Sequence, residues 1–275
     1  MKILLSNDDG YYAPGIKALM SALSAHELVS NIYVVAPDRD RSGASNSLTL
    51  DRPIKPMAFE NPDSVDKDHK IKQCYHIQGT PTDCVHVAVT GLFSDIDIVI
   101  SGINAGANLG DDVIYSGTVA AATEGRHLGL PALAVSLAYH PEQSQKAEFE
   151  SAARVIIDII QSIKDVPILD EALFKDYSVL NINIPNIEYE QIKGYKITRL
   201  GRRHKAQAAI KQQNPRGEDI YWLGPVGHLA DAGEGTDFYA VANGYVSITP
   251  LSIDLTHYAQ HDSLKNWSLI NSQEK

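Results

Sequence analysis

Two adjacent carboxylates, Asp8 and Asp9, stand near the start of this 275-residue chain, and Gly10 follows them directly. They come straight after Ile3-Leu4-Leu5, a short apolar run of the kind that forms a buried parallel strand. On a continuing strand the two acids would point to opposite faces. In a turn opened by glycine they can converge. Converged carboxylates repel each other unless a cation or a proton lies between them. The stretch therefore predicts a divalent-metal site at a strand tip. Its plainer alternative is a turn in which one aspartate caps the next helix, and these residues alone leave both open.

Three further stretches carry chemistry of a matching kind. Pro37 to Ser47 combines Arg39 and Arg41 with Ser42, Gly43, Ser45 and Ser47, which suits contacts to phosphate and to a metal through oxygen. Ser101 to Asp112 spaces Gly102, Gly106 and Gly110 four residues apart, unlike the dinucleotide fingerprint, and lacks the Gly-Lys-Ser/Thr ending of a P-loop. What it offers is the amides of Asn104 and Asn108. Tyr115-Ser116-Gly117-Thr118-Val119 then opens an alanine-rich helix, whose first free N–H groups and two hydroxyls can cradle a phosphate. Taken singly, the first is also a mobile loop and the last an ordinary cap by Ser116.

The elements that must position these residues follow from periodicity. Pro14 to Ala25 reads as a helix with Ile16, Leu19, Met20 and Leu23 on one face. Ile32 to Ala36 is a second buried strand, and strand–helix–strand at this spacing is a right-handed parallel crossover. Glu60 to Lys72 is polar, an exposed excursion before a strand at Tyr75 to Gln78. Thr80 and Pro81 mark the start of a helix that continues through Val85, Val89 and Leu92. Further strands are expected at Ile96 to Ile100 and Pro131 to Leu137, and a polar loop at His140 to Lys146 precedes a helix over Phe149 to Ile163. Val179 to Ile184 alternates apolar and polar residues, which places it nearer the sheet edge. Beyond Pro185, short strands at Tyr195 to Thr198, Ile220 to Leu223 and Tyr245 to Ile248 read as antiparallel hairpins with a final helix near Leu264 to Leu269. The expected fold is α/β, a doubly wound, mostly parallel sheet over 1–190, with a hairpin-rich extension over 191–275.

Bulk properties narrow the function classes. A hydrophobic content of 44% with 21% charged residues is that of a globular chain. The net charge of −10 disfavours non-specific nucleic-acid or anionic-membrane binding. No apolar run is long enough to span a bilayer and no signal-like start is visible, so a cytoplasmic protein is expected. Cys74 and Cys84 form neither metal spacing nor a disulfide framework.

In an open doubly wound sheet, the tips of successive strands adjoin one crevice. Two carboxylates, a hydroxyl and an amide oxygen gathered there suit Mg²⁺ or Mn²⁺ better than Zn²⁺, and helix starts and arginines beside them suit a phosphate. Metal-assisted phosphoryl hydrolysis uses these parts together.

Ile-Leu-Leu-Ser-Asn-Asp-Asp-Gly, Ala-Pro-Asp-Arg-Asp-Arg-Ser-Gly, Gly-Thr-Pro-Thr-Asp-Cys-Val, Ser-Gly-Ile-Asn-Ala-Gly and Tyr-Ser-Gly-Thr-Val occur in that order, and with them the chain resembles the SurE survival-protein family over nearly its whole length. The resemblance implies a Rossmann-like three-layer α/β/α core and a cytoplasmic, divalent-metal-dependent 5′/3′-nucleotidase that acts on nucleoside monophosphates. Some members also act on short polyphosphate. It implies one Mn²⁺ or Mg²⁺ per subunit on Asp8, Asp9, Ser42 and Asn104, with Asp8 and Asp9 catalytic. The phosphate side matches Asn108, Ser116, Gly117 and Thr118, with Arg39 and Gly43 from the serine loop. It further implies a C-terminal extension that exchanges between subunits to give a homodimer or homotetramer. Direct attack by an aspartate, a haloacid-dehalogenase-type phosphatase and a non-catalytic nucleotide sensor are the competing readings. The adjacency of Asp8 and Asp9 tells against the second, whose acids lie two residues apart.

Overall fold

The computed structural model describes residues 1–60, 70–139, 146–165 and 178–265. The chain begins with β1 (Lys2–Ser6), α1 (Pro14–Ser24), β2 (Asn31–Pro37), β3 (Met57–Ala58), β4 (Ile71–Ile77) and α2 (Pro81–Val87). It continues with β5 (Ile98–Ala105), α3 (Gly117–His127), β6 (Ala132–Ala138), α4 (Phe149–Asp165) and β7 (Ser178–Pro185). Among the described residues one nine-stranded sheet runs in the order β3-β4-β2-β1-β5-β6-β7 and then two strands from the C-terminal part, Val246–Ser252 and Tyr195–Ile197. From β4 to β7 every pairing is parallel. Connections leave β1 toward β2 on one side and reach β5 on the other, so the carboxyl end of β1 is the switch point where a crevice opens.

Burial on both faces explains the continuous apolar strands. Ile3 and Leu5 enter the core beneath α1 and α4 with Ile32, Val34, Ile98, Ile100, Leu133 and Val135. Leu4, Val35, Val99, Ala132 and Ala134 point the other way, toward α2 and α3. Residues on this second face are small where α3 lies, and α3 answers with Ala121, Ala122 and Gly125. The alanine-rich helix therefore lies close against the sheet, which brings its first turn onto the tip of β1.

Several expectations change in the structure. β4 starts at Ile71, inside the stretch read as an excursion; 61–69 lie outside the described residues, as do 140–145 of the expected polar loop. α2 passes into a wider turn at Ala88–Leu92 instead of continuing as one α-helix. β5 extends to Ala105, so Ser101 to Asn104 belong to a strand and not to a loop. β7 is not near an edge: it pairs with β6 on one side and antiparallel with β13 (Val246–Ser252) on the other. β13 and β8 (Tyr195–Ile197) pair parallel and extend the main sheet, so they form no hairpin. Of the expected hairpins, β10 (Ile210–Gln213) with β11 (Asp219–Trp222) is present. It stands on a second antiparallel pair, β9 (Arg202–Arg203) with β12 (Leu229–Asp231). Together they form an exposed arm. The last described helix is Tyr258–Lys265, and 266–269 of the expected one lie outside the described residues.

The short helix α5 (Asp237–Ala242) fastens the arm to the core. Asp237 is fully buried; its Oδ2 accepts from Gly110 N at 2.7 Å and its Oδ1 from Gly201 N at 2.8 Å and Phe238 N at 2.9 Å. Charge-assisted bonds of this kind offset the cost of burying a carboxylate. Removing the acceptor strands three donors, so Asp237→Ala should lower the unfolding free energy by about 3 kcal/mol. Asp237→Asn, which keeps one acceptor oxygen, should lose less. Urea unfolding of the two variants beside the parent chain checks both; equal midpoints for all three would disprove the clamp.

Candidate active site

At the tip of β1 the chain turns sharply. Asn7 Nδ2 donates to Gly10 O at 2.8 Å, and Gly10 adopts φ of +100°, where a side chain is strained. A Cβ there would also stand 3.1 Å from the Arg39 carbonyl carbon. The turn thus presses against the loop that leaves β2. That loop is fastened in turn: Arg41 N donates to Asp8 O at 2.8 Å, and Ser45 Oγ to Ile114 O at 2.7 Å. At its far end Thr49 donates through N and Oγ1 to the carboxylate of Asp83. Asp83 forms a capping box with Thr80 at the start of α2. The reading of Thr80 as a cap holds, and the capping acid doubles as the loop's anchor.

The turn, the loop, the end of β5 and the start of α3 surround a cavity of about 180 Å³, lined by Asp8, Ser42, Gly43, Asn104, Asn108 and Ser116, with Ala105, Asp112 and Tyr115. Of the residues singled out in the sequence, Asp9, Arg39, Gly117 and Thr118 stand outside this lining. Asp9 is half-buried and accepts from Ala105 N at 2.9 Å through Oδ2, which ties β1 to β5. Thr118 is fully buried and donates to Asp8 Oδ1 at 2.5 Å. Gly117 allows that approach, because a Cβ on it would lie 2.7 Å from Asp8 Cβ and 2.9 Å from Oδ2. Ser116 caps α3 by accepting from Val119 N at 3.1 Å, and its hydroxyl hydrogen remains to donate. Arg39 contributes its backbone to the turn while its side chain is exposed; Arg41 pairs with Asp38.

Asn108 is held by residues that the alternation of β7 did not suggest. Asn183 Oδ1 accepts from Asn108 N at 2.8 Å, while Asn181 Nδ2 and Asn183 Nδ2 donate to Asn108 O at 2.9 and 3.0 Å. Its own amide donates to Ser136 Oγ at 2.7 Å. Asn181 and Asn183 are 0% exposed. Two asparagines on one face of an interior strand are the signal that was available, since buried amides there need a defined partner.

Electrostatics favour a cation. Burial pushes the Asp8 carboxyl up against the hydrogen bond from Thr118, and burial plus the charge of Asp8 pushes Asp9 up to about 6. The arginines that line the surroundings are spent elsewhere, Arg41 on Asp38 and Arg203 on Asp112. Asn104 Nδ2 donates to Gly106 O at 2.8 Å, which leaves the amide oxygen available. Ser42 Oγ donates to Asp40 Oδ1 at 2.7 Å and keeps lone pairs. Among the described residues no group of three or more His, Cys, Asp or Glu side chains is placed to hold a metal, so a cation here must draw on the neutral oxygens as well. An all-oxygen set around two uncompensated carboxylates fits a hard divalent ion.

Because Thr118 orients Asp8 from behind, Thr118→Val should leave the fold intact and weaken Mn²⁺ binding by about 10- to 100-fold. Titration calorimetry with Mn²⁺ checks this, and an unchanged affinity would remove Thr118 from the site's support.

Known proteins resemble this chain in sequence and fold. A family model described as "Survival protein SurE" matches residues 3–207. The chain is 52% identical to the 5′-nucleotidase SurE of Nitrosomonas europaea over 272 residues, 97% of this chain and 99% of that protein. It is 53% identical to the 5′-nucleotidase SurE of Methylococcus capsulatus, covering 97% of each. The crystal structure of the SurE protein from Aquifex aeolicus superposes with a TM-score of 0.77 at 42% identity, covering 96% of this chain and 98% of that one. With a turn of two carboxylates set at the switch point of the same sheet, the chain belongs to the SurE survival protein family.

Proposed function

We propose that this chain is a hydrolase of the 5′-nucleotidase type, which cleaves nucleoside monophosphates to nucleoside and phosphate at the cavity between β1, β2, β5 and α3. The observation that carries the reading is the pair Asp8 and Asp9, adjacent and without a basic partner, with Asp8 in the wall of a cavity of about 180 Å³ that Ser116 rims at a helix start. The relatives named 5′-nucleotidase support the substrate class. Both 5′- and 3′-monophosphates, and short polyphosphate, present the same terminal group to such a cavity.

Asp8, Asp9, Ser42 and Asn104 are the residues that would hold one Mg²⁺ or Mn²⁺. Such a cation, when bound, supplies Lewis acidity at a phosphoryl oxygen and neutralises charge. The Ser116 hydroxyl and the first N–H groups of α3 stabilise charge on the remaining phosphoryl oxygens. Asn108 extends this side of the cavity from a backbone that two side chains hold through three hydrogen bonds, so it needs no reorganisation when substrate binds. Thr118 and Gly117 act by positioning Asp8, and Gly43 and the Arg39 backbone by shaping the serine loop.

The exposed arm supports assembly into a homodimer or homotetramer. Trp222 is 61% exposed, and Tyr221, Leu223 and Val226 beside it are exposed as well. Apolar patches of this kind mark interaction surfaces. This reading keeps a core over 1–190 and an extension over 191–275, from which β8 and β13 return to the main sheet. Among the described residues no helix is long and apolar enough to cross a membrane.

Phosphate release from 5′- and 3′-mononucleotides, measured with Mn²⁺, Mg²⁺ or chelator, tests the activity. Release should require the metal and should vanish in Asp8→Asn. In the absence of nucleotide, Mn²⁺ should raise the melting temperature of the parent chain and not of Asp8→Asn, because only the native acid pair binds it. A metal-loaded, folded parent chain that releases nothing would refute the nucleotidase reading.

A further inference from the structure

A second cavity, of about 760 Å³, adjoins the first. The two share Asp112 as a wall, and the segment Gly106 to Leu109 runs between them, with Asn108 on the small cavity and Leu109 on the large one. Their characters differ. The small one is lined by acids, amides and hydroxyls. The large one presents Leu109, Ile187, Leu229, Phe238 and Val241, with Arg203 as its cationic group. A volume of several hundred Å³ with apolar walls and a few polar groups suits a flat organic ligand and far exceeds what a phosphate needs.

Arg203 is held ready in that cavity. Its Nε donates to Asp112 Oδ2 at 3.0 Å, its backbone N donates to Asp111 Oδ2 at 2.8 Å, and its guanidinium lies 4.9 Å from the centroid of the Phe238 ring. An arginine fixed by a carboxylate and an aromatic ring gives up little side-chain freedom when a ligand arrives. Guanidinium planes are also surfaces on which nucleobases stack. The Asp112 carboxylate would repel a phosphate if it stood alone, and pairing with Arg203 removes that objection.

We propose that the large cavity holds the nucleoside of the substrate, with Arg203 as a binding residue for it, while the small cavity holds the phosphate. The assignment rests on the nucleotidase reading for its substrate class. It makes the base of the C-terminal arm, where β9 carries Arg203, part of the specificity pocket. The competing place for a base is Tyr115, 68% exposed, which lines the small cavity and not the large one.

Val241 on α5 lines the large cavity and not the small one, so Val241→Trp fills the first and spares the second. In this variant the KM for nucleoside monophosphates should rise about tenfold or more with kcat little changed, the pattern of lost ground-state binding. Competitive inhibition by inorganic phosphate, which needs only the small cavity, should keep its constant. Calorimetry with free adenosine gives a reading that does not depend on turnover: the parent chain should bind it and Val241→Trp should not. If the parent chain binds adenosine and loses it in Val241→Trp but hydrolyses no nucleotide, the pocket stands and the nucleotidase reading falls. If KM and adenosine affinity are unchanged in Val241→Trp, or if Tyr115→Ala instead raises KM and loses adenosine, the proposal is overturned. A parent chain that hydrolyses nucleotides yet binds no adenosine overturns it as well.

Discussion

Two carboxylates held side by side in a poorly solvated turn, without a basic side chain to compensate them, are the constraint on which this site depends. Such a pair is unfavourable in isolation, as the upward displacement of both acids shows. It persists because the surroundings hold it on every side. Ala105 N fixes Asp9 from β5, Thr118 fixes Asp8 from α3, and Arg41 N holds the Asp8 carbonyl from the serine loop. Each support arrives from a different segment of the chain, a strand, a helix and a loop, so only the assembled fold can present both acids together. Local instability at a site, over-determined by a stable frame, is the pattern expected where a ligand is meant to complete the structure.

The route by which α3 reaches Asp8 shows how distant composition controls local geometry. Ala121, Ala122 and Gly125 let the helix settle against Val99 and the small residues of β6. Gly117 then lets the first turn touch Asp8. An alanine-rich helix is weakly amphipathic and stabilises little by its own burial, so its composition makes sense as a distance constraint. Larger side chains along it would bury more apolar area and lift the helix start away from the acids.

Most of the frame was legible in the sequence because buried parallel strands announce themselves as apolar runs ended by turn residues. β1, β2 and β6, the α1 and α4 helices, the Thr80 cap and the convergence of three strand tips all followed from pattern alone. Where the structure departs from the pattern, tertiary context decides. Asn181 and Asn183 alternate with isoleucine, and alternation ordinarily means one wet face; here the polar face is dry and serves Asn108. Ser101 to Asn104 looked like a loop because glycine and asparagine are poor strand formers, yet pairing with β1 and β6 overrode that preference. β13 and β8 were read as hairpins because pairing between strands distant in sequence leaves no local trace. The small cavity collects Asp8, Ser42, Gly43, Asn104, Asn108 and Ser116 from the anticipated residues, whereas Asp112 and Tyr115 carried no signal.

Asp112 also shows why the C-terminal arm cannot be treated as a detachable appendage. Through Arg203 it joins a wall of the small cavity to β9, while Asp111 takes the Arg203 backbone and Asp237 clamps Gly110 to Gly201. The turn after β5 and the base of the arm therefore form one hydrogen-bonded unit. Any force on the arm would be felt first at Arg203 and Asp112 and only then at the acids of β1. Coupling of this kind needs no conformational switch: a wall shared by the small cavity and the base of the arm is enough. The separation between sheet and arm is thus one of sequence character, and in physical terms the large cavity is lined by both.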